Sequence, residues 1–330
     1  MDSFPGISII ICTHNGSARL TPTLEAISKL NAEFPWEIVV INNASTDETA
    51  TVVKKFFTSH SSKKLKWKLV EEKTPGLVYA KFKGIAECLY PYLLFCDDDN
   101  WLFPDYLVNA ADILSKNNQI GALGGKGIAV FEGEKPNWFE KYYSTFAVGS
   151  QINHLGDNSA RLGYVYGAGA IFKTNILKEI IDSGFQLALT GRKGDILISG
   201  EDVELCYLVQ IKGYELHYSE RLAFYHWIPR KRTDWEYFLK VKEGITHSSA
   251  FLFSYQYFYM NKNRGVIAFT RALYWKLLVA YLIYHKNKVR PTRGIINFDL
   301  AIRILKARKH SLKKDFYLAI THFKQLKEFY

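Results

Sequence analysis

The chain has 330 residues, of which 48% are hydrophobic and 15% aromatic, and it carries a formal net charge of +11. Such a length and apolar content can bury a large core, and nothing in the composition is disordered, repetitive or low in complexity. The charge is uneven: positions 229–330 hold 21 Lys and Arg against 6 Asp and Glu, and positions 1–228 hold 22 against 26, so an anionic partner is expected for the C-terminal part alone.

The N-terminus, Met1-Asp2-Ser3-Phe4-Pro5, lacks the basic and apolar regions of a secretory signal. The four cysteines, Cys12, Cys88, Cys96 and Cys206, show no metal-site spacing. Both observations predict buried thiols in a reducing, cytoplasmic setting. Ile7 to Cys12 reads as a buried strand followed by the polar loop Thr13-His14-Asn15-Gly16. A helix is expected from Thr21 as N-cap, with Pro22 at its first position and Leu24, Ile27 and Leu30 at helical spacing. Trp36 to Ile41 is the second strand, opening into Asn42-Asn43-Ala44-Ser45-Thr46-Asp47-Glu48, where Ser45 and Glu48 have capping-box spacing. A third strand is expected over Trp67 to Glu71, then a loop through Pro75-Gly76 and a helix around Tyr79 to Cys88.

Tyr92-Leu93-Leu94-Phe95-Cys96-Asp97-Asp98-Asp99-Asn100 is the most informative stretch. An apolar run of this kind predicts a strand buried on both faces, and it delivers three adjacent carboxylates at its C-terminal end, where open α/β sheets bind ligands. Neighbouring anions repel one another, so a cation is expected to offset them, and an all-oxygen ligand set favours Mg²⁺ or Mn²⁺. Strand and helix alternate four times in the first hundred residues, which predicts a doubly wound, mostly parallel α/β sheet.

Gly121-Ala122-Leu123-Gly124-Gly125-Lys126-Gly127 lacks dinucleotide-fingerprint spacing and runs into the strand-like Ile128 to Phe131, so tight strand packing is expected. In Tyr166-Gly167-Ala168-Gly169-Ala170 the small residues suit either close approach of a sugar ring or strand packing. Thr190-Gly191-Arg192-Lys193-Gly194 is a basic loop, and Ser199-Gly200-Glu201-Asp202 opens a helix expected from Val203 to Lys212. Ser199 and Asp202 fit a capping box, so Asp202 is either a cap or a catalytic acid–base group. Gly265 to Tyr284 is the most apolar stretch, but Arg271 and Lys276 lie inside it about 140° apart on a helical wheel. It therefore reads as a packed or interfacial helix rather than a span. The basic series Arg303, Lys306, Arg308, Lys309, Lys313 and Lys314 follows, suited to an anionic lipid surface or to plain solvation.

Taken together, Ser8 to Arg232 resembles glycosyltransferase family 2, the inverting transferases of the GT-A fold. The resemblance rests on Ile9 to Gly16 as first strand and nucleotide loop, Asn42 to Asp47 as the turn after the second strand, and Gly76 to Gly84 as the segment that usually reads Ala-Arg-Asn. Phe95-Cys96-Asp97-Asp98-Asp99 is similar to the family's Asp-x-Asp metal motif, and Gly200-Glu201-Asp202 to its base motif. His226-Trp227-Ile228-Pro229 with Arg232 is similar to its closing His and Arg.

The resemblance implies a GT-A domain over 1–228, with a nucleotide-sugar half to about 100 and an acceptor half beyond, and a basic, aromatic helical region over 229–330. It implies Mg²⁺ or Mn²⁺ on Asp99, Asp97 and His226, and a UDP-sugar or similar donor near Thr13, His14, Asn15, Asn43, Ser45, Lys81, Asp97 and Asp98. Asp202 with Glu201 would be catalytic, and Gly167, Ala168, Gly169, Arg192, Trp227 and Arg232 would face the acceptor. Lipid-linked or glycan acceptors, an anionic membrane surface at the cytoplasmic face, and no nucleic acid are the expected partners. Two departures stand out: Asn42 and Asn43 replace the usual Asp of the second turn, and Lys81 replaces an Arg, keeping charge but losing the bidentate fork. A nucleotidyltransferase would need a Gly-rich basic loop after the first strand, which Thr13 to Ser17 is not. A nucleic-acid binder would need a reader motif that the basic tail lacks.

Overall fold

The computed structural model describes residues 4–60, 65–155, 162–191, 199–289 and 298–330. The three apolar runs read from the sequence form parallel strands: β1 (Ile7–Thr13), β2 (Trp36–Asn43) and, paired to the other side of β1, β4 (Tyr92–Phe95). The strand β3 (Trp67–Glu72) lies parallel beyond β2. Successive residues of a strand face opposite sides of the sheet. Ile7, Ile9 and Ile11 therefore join one core with the helices α1 (Leu20–Ile27), α2 (Thr49–Ser59) and α4 (Tyr106–Lys116), while Ile10 joins the core on the other side. That second side is covered by α3 (Leu77–Glu87) and, further along the chain, by α6 (Thr174–Asp182) and α7 (Glu201–Ile211).

The sheet continues with antiparallel β7 (Ile171–Lys173) beside β4, then β6 (Ile120–Phe131), β8 (Glu215–Ile228) parallel to β6, and the short edge strand β5 (Asn100–Leu102). The order is β3-β2-β1-β4-β7-β6-β8-β5. The glycine-rich run is the β6 strand its spacing predicts. A Cβ on Gly125 would lie 2.3 Å from the Leu222 carbonyl oxygen, and one on Gly127 2.6 Å from that of Ala147.

Helix starts differ from the sequence reading where caps compete. The α1 helix begins at Leu20 rather than after Thr21. Ahead of α2 no Ser45–Glu48 box forms, because Asp47 reaches the Thr49 amide and hydroxyl and Ser45 is engaged elsewhere. The α7 helix opens at Glu201 behind Gly200, whose φ of +124° suits glycine, so Glu201 and Asp202 occupy its first turn.

A four-residue helix α5 (Phe139–Tyr142) lies after β6, and the basic C-terminal part is helical: α8 (Trp235–Met260), α9 (Val266–Val289), α10 (Phe298–His310) and α11 (Phe316–Phe329). Ala250, Tyr255 and Phe258 of α8, Phe269, Leu273 and Leu277 of α9, and Phe323 and Leu326 of α11 share one buried cluster with Leu205, Leu208 and Val209 of α7. Within α9, Val266–Ile283 is long and apolar enough to cross a membrane by length and composition, and only 17% of that stretch is buried.

Candidate active site

Because β1, β2 and β4 are parallel, the loops after them open at one edge of the sheet, where a cleft of about 410 Å³ is formed. Its walls include Thr13, His14 and Asn43 from the first two strand ends, Asp97, Asp98 and Asp99 from the turn after β4, and Gly167, Ala168, Glu201, Asp202, His226 and Arg232 from the second half. Residues read from widely separated motifs are thus brought to one cavity.

The three carboxylates are differently engaged. Asp98 is 6% exposed and accepts from Arg19 at both oxygens, Nε at 2.9 Å and Nη2 at 2.7 Å, and from the Thr13 hydroxyl at 2.6 Å. Burial raises its pKa despite that guanidinium, and the neighbouring Asp99 adds to the rise. Asp99 Oδ2 pairs with Arg232 Nη1 at 2.8 Å, while its Oδ1 lies 3.6 Å from His226 Nε2. The Trp227 amide donates to the Asp99 carbonyl and Asn100 pairs with His226 across β5 and β8, so the edge strand holds His226 over the turn. Asp97 lines the cavity beside them.

In the same cleft Asp202 accepts from the Gly167 amide at 2.8 Å and from the Val203 amide at 2.9 Å. A Cβ on Gly167 would lie 3.0 Å from Asp202 Cβ, so the absence of a side chain at this position lets the acid approach the backbone. Burial, then the charge of Glu201, raises the Asp202 pKa against the pull of Lys81 and the two amides. Lys81 is buried and pairs with Glu201 Oε1 at 3.0 Å. Burial opposes its charge, but Glu201, Asp202 and Asp97 outweigh that penalty and hold its pKa above the ordinary value.

Several expected site residues stand elsewhere. Asn15 and Ser45 do not line the cleft: the Asn15 amide donates to Ser45 Oγ at 3.0 Å and the Thr46 amide to Asn15 Oδ1 at 2.8 Å, latching the first two loops together. Asn43 does line it, but its amide oxygen accepts from the Gly76 amide and its nitrogen donates to the Glu72 and Thr74 carbonyls. It therefore shapes the 72–76 loop instead of presenting that oxygen to a base. Trp227 is placed away from the cavity by strand alternation, since His226 and Ile228 on either side of it point in.

Gly169, at φ +71°, is packed under the Phe224 ring and takes the Tyr106 hydroxyl on its carbonyl, a structural position. Arg232 is drawn to Asp99, on the carboxylate side rather than the acceptor side. Arg192 lies outside the described residues. Arg19, Thr145 to Ala147, and Tyr237 and Val241 of α8 line the cleft without having been singled out in the sequence. Arg19 follows the first polar loop at the start of α1, and its position next to that loop was the one available signal.

Comparison with known proteins matches this arrangement. The family model for glycosyl transferase family 2 covers residues 8–181. The poly-beta-1,6-N-acetyl-D-glucosamine synthase of Staphylococcus epidermidis is 24% identical over 226 residues, 68% of this chain and 50% of that protein. The poly(ribitol-phosphate) beta-N-acetylglucosaminyltransferase TarS of Staphylococcus aureus is 24% identical over 183 residues, 52% of this chain and 28% of that protein. The chain thus spans half or less of the length of these relatives. The structure of the mannosyltransferase PcManGT from Pyrobaculum calidifontis, in complex with GDP-Man and Mn²⁺, superimposes with a TM-score of 0.55 at 16% identity, covering 97% of this chain and 84% of that one. The shared architecture is the GT-A fold, a mixed, mostly parallel sheet flanked by helices. With that fold, the strand-end carboxylates and a family match across more than half of its length, the chain belongs to glycosyl transferase family 2.

Proposed function

We propose that the protein transfers a sugar, with inversion, from a nucleotide diphosphate sugar to a hydroxyl of a glycan or lipid-linked acceptor during cell-surface polysaccharide synthesis. A UDP-sugar is the favoured donor and the cytoplasmic face of a membrane the favoured place. The single observation carrying the reading is that the carboxylates after β4 and Asp202 at the start of α7 share one cleft, so a leaving group and an attacking hydroxyl can be served in the same cavity.

The donor set fits a divalent ion. Arg19 holds both oxygens of Asp98, so Asp97, Asp99 and His226, which line the same cleft, are the residues that would hold the ion, two carboxylates and one imidazole whose chemistry suits Mn²⁺ or Mg²⁺. When bound, the ion neutralises the charge that develops on the departing diphosphate. The chain's own residues do the rest. Asp202, held by two backbone amides, accepts the proton of the acceptor hydroxyl as that oxygen attacks from the side opposite the leaving group. Lys81, which also lines the cleft, pairs with Glu201 and keeps positive charge beside Asp202 and Asp97. Arg19 and Arg232 hold Asp98 and Asp99 in place before donor arrives. Melting the protein with a panel of nucleotide sugars, with and without Mn²⁺, tests the reading: a metal-dependent rise with one of them is expected. A panel that leaves the transition unmoved in both conditions would overturn it.

A further inference from the structure

We propose that α9 and α11 form a docking surface for an anionic lipid bilayer, with α9 lying in the plane of the interface. One side of α9 is spent on the protein. Phe269, Leu273 and Leu277 are buried, and the Phe269 ring stacks on Phe323 of α11 at 4.1 Å and packs against Phe253 and Tyr257 of α8. The other side is not polar, as a surface helix of a globular protein would be. Ile267 is 73% exposed, Trp275 62%, Leu282 54%, Tyr274 49% and Val279 46%. At 100° per residue these five fall within an arc of about 140°. The patch continues onto α11: the Phe316 ring meets Tyr274 edge-on, and the adjoining Tyr317 and Leu318 are 69% and 56% exposed. Contiguous exposed apolar surface on this scale marks an interaction site.

Charge selects the occupant. Positions 262–330 carry 16 Lys and Arg against 3 Asp and Glu, and one of those acids, Asp315, is buried. Arg271 sits exposed within the apolar arc, and Lys313 and Lys314 are exposed on the turn that leads into Phe316. An apolar face with Trp and Tyr, edged by cations and almost without anions, matches the headgroup region of an anionic leaflet, where apolar insertion and charge attraction add. The packed side of α9, committed to α8 and α11, together with Arg271 within the exposed arc, favours an interfacial position over a span. The same α8 supplies Tyr237 and Val241 to the cleft near its N-terminal end, while α9 meets it at Phe253 and Tyr257. The docking does not rest on the proposed reaction.

Flotation of the full chain with phosphatidylglycerol–phosphatidylcholine vesicles tests the surface. Binding is expected at low salt, with weakening as salt rises and little binding to phosphatidylcholine alone. Trp275→Ser combined with Leu282→Ser should lower partition at least about tenfold, and Lys313→Glu with Lys314→Glu by roughly tenfold or more through the charge term. Both pairs should keep the donor-induced melting shift, which separates loss of docking from loss of fold or of the proposed activity. No flotation of the unaltered chain would overturn the proposal. So would a stable dimer by light scattering that Trp275→Ser with Leu282→Ser converts to monomer, since the face would then belong to a second copy.

Discussion

Asp202 must be ionised to accept a proton, yet it is buried beside Glu201. Burial and that neighbour push its pKa up, so the fraction in the active form falls at a higher pH than for an ordinary Asp. Turnover should therefore decline as the medium is acidified through a pKa above the usual carboxylate value, read from the acid limb of the kcat–pH profile. Lys81→Met removes the opposing positive charge and should move that limb to higher pH; an unmoved limb would assign the titration to another group. Asp202→Asn should cost roughly 10²–10⁴-fold in kcat while donor still raises the melting temperature. Retained turnover would leave Asp202 with only its helix-terminal role. Asp99→Asn should abolish the metal-dependent part of that melting shift, measured with and without Mn²⁺. Asp97 to Asp99 and Asp202 were legible because each stands in a local pattern, a strand end or a helix start. Their partners were not: Arg19 meets Asp98 across 79 positions and Lys81 meets Glu201 across 120, separations at which no spacing rule operates.

Among elements, the apolar strands declared themselves and the helix starts did not. Ile7 to Cys12 and Tyr92 to Phe95 have few alternatives once both faces are covered, whereas Ser45, Asp47 and Glu48 all compete for the same amides, and a single geometry decides among them. The glycine run of β6 is readable for the same reason as the strands. Gly125→Ala would force a Cβ against the Leu222 carbonyl in the neighbouring β8, and urea denaturation should show a loss of about 1–3 kcal/mol. The π-helical turn Ser311–Asp315 leading into α11 was invisible in the sequence. It carries Asp315 to His247 of α8 at 2.9 Å, with Ser311 donating to the same oxygen and His310 and Glu243 nearby. The hydrogen bond to Asp315 raises the His247 pKa, so its stabilisation is complete below the unfolded value near 6.5 and disappears as pH rises through the higher folded value. Burial works against the Asp315 charge, but the bonds from His247 and Ser311 win and lower its pKa, so its share fades only under strong acid. Since His247 is partly exposed, the pair is worth on the order of 0.5–1 kcal/mol. His247→Ala should remove that much at pH 6 and almost nothing at pH 9, by chemical denaturation at the two values.

At the scale of the whole molecule, the division between a catalytic part and a basic helical part is one of composition rather than of packing. Glu204 of α7 is fully buried and accepts from the Ala188 and Leu189 amides at 2.9 and 2.7 Å and from the Tyr255 hydroxyl of α8 at 2.7 Å. Ser248 of α8 donates to the Ser199 carbonyl at 2.6 Å, directly ahead of the acids that open α7. The C-terminal helices thus hold the chain on both sides of Asp202, and Ala250, Tyr255 and Phe258 cover Leu205, Leu208 and Val209. A chain ending at position 232 would expose that apolar surface and leave the buried Glu204 short of a donor, each term large beside the few kcal/mol by which domains are stable. Such a truncated chain should show no cooperative thermal transition and no donor-induced shift by calorimetry. In the full chain, Tyr255→Phe should cost about 1–3 kcal/mol, because the buried Glu204 carboxyl, whose pKa burial raises to about 8, loses one of its three bonds. A fragment that melts cooperatively and still binds donor would show that the first 232 residues stand alone, and the helices would then be an attachment to the fold instead of part of its core.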